Sequence, residues 1–130
     1  MAKYPEPFEV IGGAVIDADT IYAERLHIGF GVELHAEKIR AADYDAWESK
    51  RYRRGKNITD EELRKGRLAA NELRELLAGH RLFAYPVSGK RSRGSFGRLL
   101  ANFRYCKLDE PAELSLQLRL WMRDRGHIRK

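Results

Sequence analysis

Five charged residues in three separate segments of this sequence carry the side chains that phosphodiester hydrolysis needs. They are Asp19, Arg40, Asp45, Glu48 and Arg98. Two carboxylates can hold a hard cation, and a third can activate a water molecule. Two guanidinium groups can neutralise a phosphate from two sides. Together these residue types indicate metal-assisted attack of water on a phosphodiester.

Each segment taken alone also has a simpler interpretation. Asp19 lies at the junction of two strand-like runs, where an acidic residue is usually a turn former. The spacing Arg-x4-Asp-x2-Glu from Arg40 to Glu48 is also that of a charged strand end, although an irregular loop after Tyr44 would let the three side chains converge. Arg98 opens an otherwise apolar strand, so it needs an anionic partner, which is either a phosphate or a structural carboxylate.

The elements that must position these residues begin with three strands. Residues 8–16 are apolar, with a Gly-Gly pair at 12–13 that indicates a bulge or bend. Residues 20–28 alternate between two faces. A hairpin signal at residues 29–31 is followed by renewed alternation over residues 32–41. The pattern therefore predicts three consecutive strands in a meander.

A helix with strong end signals follows the meander. Thr59 and Glu62 have the spacing of a capping box, and Gly79 supplies the C-terminal stop. The alternation of residues 81–87 and 98–105 then predicts two more strands.

A second helix is predicted after these strands. Pro111 marks its start, an apolar stripe runs from Leu114 through Leu118 to Met122, and Gly126 ends it. Three strands, a helix, two strands and a helix predict an α+β fold. A five-stranded barrel with a helix between strands 3 and 4 is the OB-fold arrangement.

The three charged segments resemble, in order and spacing, the motifs of the staphylococcal nuclease-like (thermonuclease) family. Residues 16–20 are similar to its Ile-Asp-Gly-Asp-Thr turn, residues 40–48 to its Arg-Leu-x-x-x-Asp-x-Pro-Glu block, and residues 96–98 to its Tyr-Gly-Arg block. The resemblance covers residues 8–128 and supports the OB-type barrel. The sequence departs from the family pattern at Ala18, Trp47 and Gly94, and at Ser95 and Phe96.

The resemblance implies a role for each of the five charged residues. Asp19, Asp45 and the backbone carbonyl of Ala46 would bind Ca²⁺, with Mg²⁺ as the alternative. Glu48 would act as the general base on water, and the two arginines would bind the scissile phosphate. The expected substrate is DNA, RNA or both, and the expected products carry 3′-phosphates. Oxygen ligands suit such hard cations on chemical grounds as well.

Composition is consistent with an anionic partner. The 130 residues fit one domain over residues 1–130, the formal net charge is +6 and the pI is about 9.6, which favours nucleic acid. One basic cluster is Lys50, Arg51, Arg53, Arg54 and Lys56, and a second is Lys90, Arg91, Arg93, Arg98 and Arg104. The basic residues from Lys50 to Lys56 and from Lys90 to Arg98 would contact phosphates. A third cluster consists of Arg119, Arg123, Arg125, Arg129 and Lys130. Solvated loops and a solvated tail are the alternative for each cluster.

Other classes of site and location are disfavoured. No apolar run approaches the roughly 18 residues of a membrane span, and residues 1–7 lack the apolar region of a secretory signal, so a cytoplasmic location is expected. The single Cys106 excludes an intramolecular disulfide and any cysteine-based zinc site, and its position predicts a small buried hydrophobe. The four histidines lack metal-binding spacing and are expected on the surface or in strands.

Two functions without catalysis compete with the nuclease hypothesis. OB barrels commonly bind single-stranded nucleic acid, so a non-catalytic binding module is the main alternative. Such a module is expected to have lost Glu48 or an arginine, and this sequence retains them. A protein-interaction domain with no role in nucleic-acid binding is the second alternative, and a missing or salt-insensitive DNA interaction would favour it.

Overall fold

The computed structural model describes residues 7–49, 58–87 and 98–129. These residues form six strands, two α-helices and one short 3-10 helix. The strands are β1 (Phe8–Asp17), β2 (Thr20–Gly29), β3 (Val32–Ala41), β4 (His80–Pro86), β5 (Leu99–Lys107) and β6 (Leu116–Gln117). The helices are α1 (Asp60–Ala78) and α2 (Leu118–Asp124), and the 3-10 helix is Ala112–Leu114.

Five of the strands close into a barrel. β1, β2 and β3 form the predicted antiparallel meander, while β1 also pairs with β4 and β4 with β5, again antiparallel. Parallel pairing of β3 with β5 closes the sheet. α1 connects β3 to β4, and α2 follows the last strand. The protein is therefore α+β and built on a small OB-type barrel, as the order of elements predicted.

The core fills the barrel and the space under the helices. Its largest fully buried side chains are Phe103, Ile21, Leu26, Ile39, Leu73, Leu118 and Met122. Leu73 belongs to α1 and the last two belong to α2, so both helices contribute to one apolar cluster with the strands. Burying a side chain of this size stabilises the fold by roughly 1.5–3 kcal/mol relative to exposure.

The ends of α1 confirm the predicted caps. The Thr59 hydroxyl accepts a hydrogen bond from the Glu62 backbone N–H at 3.1 Å, and the Glu62 carboxylate accepts one from the Thr59 N–H at 3.2 Å. At the other end, the Gly79 N–H donates to the Leu76 carbonyl at 3.2 Å. Both ends of α1, which lies in the connection between β3 and β4, thus have local signals that the sequence alone reveals.

The C-terminal helix is shorter than predicted. α2 begins at Leu118 and not near Pro111, because Leu116 and Gln117 pair with Tyr105 and Arg104 of β5 and so adopt strand geometry. Leu114 lies in the 3-10 helix and is exposed, so its place in the apolar stripe was wrong.

The Gly-Gly pair in β1 does not form the bulge that the sequence suggested as one possibility. Gly12 has φ +65°, and a Cβ there would lie 2.6 Å from the Glu24 carboxylate. Pairing with β2 continues in register on both sides, from Ile11 to Gly13, and the irregularity of this strand lies instead between Val15 and Asp17. That irregularity immediately precedes the turn that carries Asp19.

Two further expectations concern the remainder of the chain. Cys106 is buried, as predicted, and this burial raises the pKa of its thiol. Within the described ranges, neither helix is long and apolar enough to cross a membrane.

Candidate functional site

Asp19 lies in the turn between β1 and β2, and its carboxylate is held by three donors. It accepts hydrogen bonds from the Thr20 hydroxyl at 3.2 Å and from the Ala46 backbone N–H at 3.0 Å. The third donor is the Arg40 guanidinium, at 2.8 Å. Only 14% of the Asp19 side chain is exposed. The turn, β3 and the segment after β3 are therefore joined at one carboxylate.

Arg40 connects this carboxylate to Asp45. It pairs with Thr20 across β2 and β3, which places it beside the Asp19 turn. One terminal nitrogen contacts Asp19 and the other contacts Asp45, so a single guanidinium bridges both carboxylates. Burial alone would lower the pKa of Arg40, but attraction to Asp19 and then Asp45 outweighs it, and the pKa is raised. Arg40 is thus permanently charged in this setting.

The segment after β3 is shaped by three contacts to other parts of the chain. The Tyr44 side chain is buried, and its hydroxyl donates to the Ala18 carbonyl at 2.6 Å. The Asp45 carbonyl accepts from the Arg129 N–H at 2.8 Å, and Ala46 forms a β-bridge with Ile128. The irregular geometry after Tyr44 that the spacing required is therefore present, and it directs Asp45 toward Arg40.

Glu48 and Arg98 lie on the elements next to this cluster. Glu48 is half-buried in the segment that continues from Ala46. Arg98, also half-buried, directly precedes Leu99, which pairs with Ile39 in the parallel closure of the barrel. Since Arg40 follows Ile39, closure brings the start of β5 beside the end of β3. The structure thus joins Asp19, Arg40 and Asp45 by direct contact and places Glu48 and Arg98 in the adjoining segments.

The donor set for a cation is small. Among the residues that the structure describes, no group of three or more His, Cys, Asp and Glu side chains has the geometry to hold a metal ion. A cation would therefore depend on the Asp19 and Asp45 carboxylates, the Ala46 carbonyl and solvent. Two carboxylates and a carbonyl are hard oxygen ligands of the kind that Ca²⁺ and Mg²⁺ take, and Arg40 currently contacts both carboxylates.

Several predicted contacts lie outside the described residues. These are Lys50, Arg51, Arg53, Arg54, Lys56, Lys90, Arg91 and Arg93. Of the two aromatic residues described in the segment after β3, Tyr44 is buried, whereas Trp47 is half-buried with the Lys65 ammonium 4.6 Å from its ring centroid.

The third basic cluster is largely neutralised by carboxylates. Arg125 lies 3.4 Å from Glu72, and Arg123 lies 3.2 Å from Asp124. Arg119 lies 3.8 Å from Asp43, whose pKa is raised by burial. This cluster is therefore a poorer candidate for phosphate contact than its sequence suggests, since three of its arginines already have an acidic neighbour.

A groove beside β5 was not anticipated from the sequence. It has a volume of about 390 Å³, and its lining includes Tyr85, Asn102, Arg104, Gln117 and Asp43. Asn102 lies two residues beyond Leu100, which pairs with Arg40. The alternation of residues 98–105 indicated that Asn102 and Arg104 lie on the same face as Arg98, and this was the only sequence signal for the groove. Only the tertiary structure brings Tyr85 and Gln117 to that face.

His127 was wrongly expected at the surface or in a strand. Its side chain is buried, and Nε2 lies 2.7 Å from the Glu72 carboxylate of α1. The two residues that follow it hold the main chain of Asp45 and Ala46. The His127–Glu72 pair therefore fastens the C-terminal segment that supports the candidate site to α1.

This pair predicts a pH dependence of stability. The hydrogen bond from His127 is the main cause of the lowered pKa of Glu72, and the charges of His127 and Arg125 contribute further. Because the folded pKa is depressed, the stabilisation is present above the ordinary value of 4.5 and is lost as pH falls through the folded pKa. Glu72→Gln should therefore destabilise the protein near neutral pH and make little difference under acid conditions.

Urea unfolding over a pH series would measure this difference. Glu75→Gln is the matched control, because Glu75 lies on the same helix and is exposed. A Glu72→Gln penalty of equal size at every pH would contradict the assignment.

No protein-family model and no curated protein sequence matches this chain. The functional interpretation therefore depends on the motif resemblance and on the geometry described above.

Proposed function

We propose that this protein is a cation-dependent phosphodiesterase that cleaves DNA, RNA or both. The observation that carries the proposal is the contact of Asp19, Arg40 and Asp45, which come from two of the three segments whose order and spacing resemble a nuclease motif. Here two acids share one guanidinium, and a glutamate and a second arginine lie in the adjoining segments.

The residues of the chain divide the chemistry between them. Glu48 would accept a proton from the attacking water as the water oxygen bonds to phosphorus. The bond from phosphorus to the 5′-oxygen would break, and that leaving oxygen would take a proton from solvent. Arg40 and Arg98 would bind the phosphate oxygens and stabilise the charge that develops on them. Asp19 and Asp45, with the Ala46 carbonyl, would hold Ca²⁺ or Mg²⁺. Such an ion supplies Lewis-acid polarisation of the phosphate and a lowered pKa for bound water.

A non-catalytic nucleic-acid-binding module is the second candidate. Two observations favour it: the described residues lack a group of three acidic, cysteine or imidazole ligands, and Arg40 already contacts both Asp19 and Asp45. The groove beside β5, with Tyr85 and Asn102 in its lining, would serve such a module equally well.

Incubation with nucleic acid separates the two candidates. The substrates would be supercoiled plasmid DNA and a single-stranded oligonucleotide made once as DNA and once as RNA. Each would be treated with the protein plus Ca²⁺, Mg²⁺ or a chelator. Cleavage with a divalent cation and none with chelator supports the phosphodiesterase. Tight binding without cleavage under every condition supports the binding module.

Salt dependence provides a test that both nucleic-acid candidates must pass. With a net charge of +6, the chain should displace condensed counterions when it binds. The logarithm of the affinity should then fall linearly with the logarithm of salt concentration, with a slope of about −0.7 for each phosphate contacted on a single strand.

Fluorescence anisotropy of a labelled oligonucleotide at several KCl concentrations measures that slope. An uncharged peptide nucleic acid of the same sequence is the control and should bind far more weakly. A flat response to salt would count against both candidates and favour a protein-interaction domain.

A further inference from the structure

Gly66 lies in the interior of α1, where glycine is unfavourable. In a helix interior, glycine is less favourable than alanine because it loses more backbone freedom on folding. A Cβ at this position would lie 1.8 Å from the Glu48 carbonyl oxygen, 2.3 Å from the Glu48 carbonyl carbon and 2.8 Å from the Ser49 nitrogen. These are main-chain atoms, so no side-chain rotation can relieve the overlap. The glycine therefore allows the main chain of Glu48 to rest directly on the helix.

The same segment is held from its other side by the end of β1. The Ser49 hydroxyl donates a hydrogen bond to the Asp17 carboxylate. The Ser49 hydroxyl oxygen also lies 3.5 Å from the Ile16 carbonyl oxygen. Lys65, the neighbour of Gly66, lies over the Trp47 ring. Residues 47–49 are thus held between α1 and the end of β1, and the turn that follows β1 carries Asp19.

We propose that Gly66 is a positioning residue for Glu48, and that the close contact with α1 sets the distance of the Glu48 carboxylate from the Asp19–Arg40–Asp45 cluster. The inference rests on the proposed function, because it gives Glu48 a catalytic task. A Cβ at Gly66 would push residues 48–49 away from the helix by more than an ångström. A displacement of about 1 Å in a catalytic constellation can lower the rate roughly 10²-fold.

Gly66→Ala tests the proposal against Gly79→Ala, a glycine-to-alanine change at the end of the same helix. A Cβ on Gly79 would meet no atom within 4 Å, and its φ of −114° suits alanine. Both variants would be made in a Trp121→Phe background. Because the chain has two tryptophans, Trp47 then becomes the only tryptophan, and its emission reports movement of residues 47–49 independently of activity.

We expect Gly66→Ala to lower kcat for cleavage by about 10²-fold with KM changed by less than about twofold, because the phosphate contacts remain. The emission of Trp47 should shift in the folded variant. Gly79→Ala should match the background protein in kcat, KM and emission.

Ser49→Ala provides a second variant in case Gly66→Ala does not fold. It releases the clamp on the β1 side without adding atoms, so kcat should again fall while KM stays near that of the background. Unchanged kcat in whichever of these variants folds would overturn the proposal. If the unsubstituted protein cleaves nothing, the proposed function fails, and Trp47 emission alone then decides whether Gly66 positions residues 47–49. A shifted emission in Gly66→Ala supports that positioning. Emission equal to that of the background protein overturns it.

Discussion

Glu48→Gln is expected to lower kcat for phosphodiester cleavage by about 10²–10⁴-fold, the usual contribution of a general base. The substitution keeps the size and hydrogen-bonding capacity of the side chain but removes its ability to take a proton from water. Affinity for an oligonucleotide, measured under chelation so that cleavage cannot interfere, should change little. Neither the basic clusters nor the two arginines are altered.

Glu75→Gln is the matched control, because it removes the same charge from an exposed position on α1. It should cleave at the rate of the unsubstituted protein. Equal nicking rates for Glu48→Gln and this control, with Ca²⁺ present, would remove Glu48 from the mechanism. A fall in affinity as large as the fall in rate would instead make Glu48 part of the binding surface.

The barrel could be predicted because its signals are local. Alternation over residues 20–28 and 32–41, with a glycine-containing turn between them, defines a hairpin without reference to the rest of the chain. Thr59 and Glu62 likewise form a cap from residues three apart. The closure between β3 and β5 has no such local signal, and it was inferred from the order of elements and the OB arrangement.

The contacts that shape the candidate site are mostly non-local, and the sequence indicated only some of them. That Asp19 and Asp45 would approach one another was predicted from the motif resemblance. The contact of the Arg40 guanidinium with both carboxylates was not predicted. Residue spacing indicates the register of a strand but not the direction in which a long side chain extends. The sequence also gave no reason to connect Gly66 with Glu48, since a helix-interior glycine becomes informative only once the chain packed against it is known.

The errors near the C-terminus have a related cause. The apolar stripe from Leu114 to Met122 fits a helix, but pairing of Leu116 and Gln117 with β5 overrides that tendency. His127 was misjudged because a lone histidine carries no sign of burial. Its position depends on Glu72, 55 residues earlier in the chain.

Arg40→Gln is expected to have opposite effects on catalysis and on cation binding. As a phosphate ligand, Arg40 should contribute to stabilising the transition state, and losing one such donor costs about 10²–10³-fold in kcat. Affinity for Ca²⁺ should rise, because the guanidinium that contacts Asp19 and Asp45 no longer competes for them. Isothermal titration with Ca²⁺ and cleavage assays at saturating Ca²⁺ would measure the two effects separately.

The melting temperature of Arg40→Gln should fall when no cation is present and recover when a cation binds. Without Arg40, the carboxylate of Asp19, 14% exposed, keeps its Thr20 and Ala46 donors but loses its charged partner. Losing a hydrogen bond between charged groups costs about 1.5–3 kcal/mol. In chelator the variant should therefore melt below the unsubstituted protein. Added Ca²⁺ should narrow that gap, because an ion bound to the folded state stabilises it by mass action.

Arg64→Gln is the control, because Arg64 lies on α1 with 71% of its side chain exposed and the substitution removes the same charge. Its melting temperature should follow that of the unsubstituted protein at every Ca²⁺ concentration. If Arg40→Gln melts lower by the same amount with and without Ca²⁺, the two carboxylates serve Arg40 and not a cation. The Asp19–Arg40–Asp45 cluster would then be a structural ion pair, and the binding module would become the better account of this barrel.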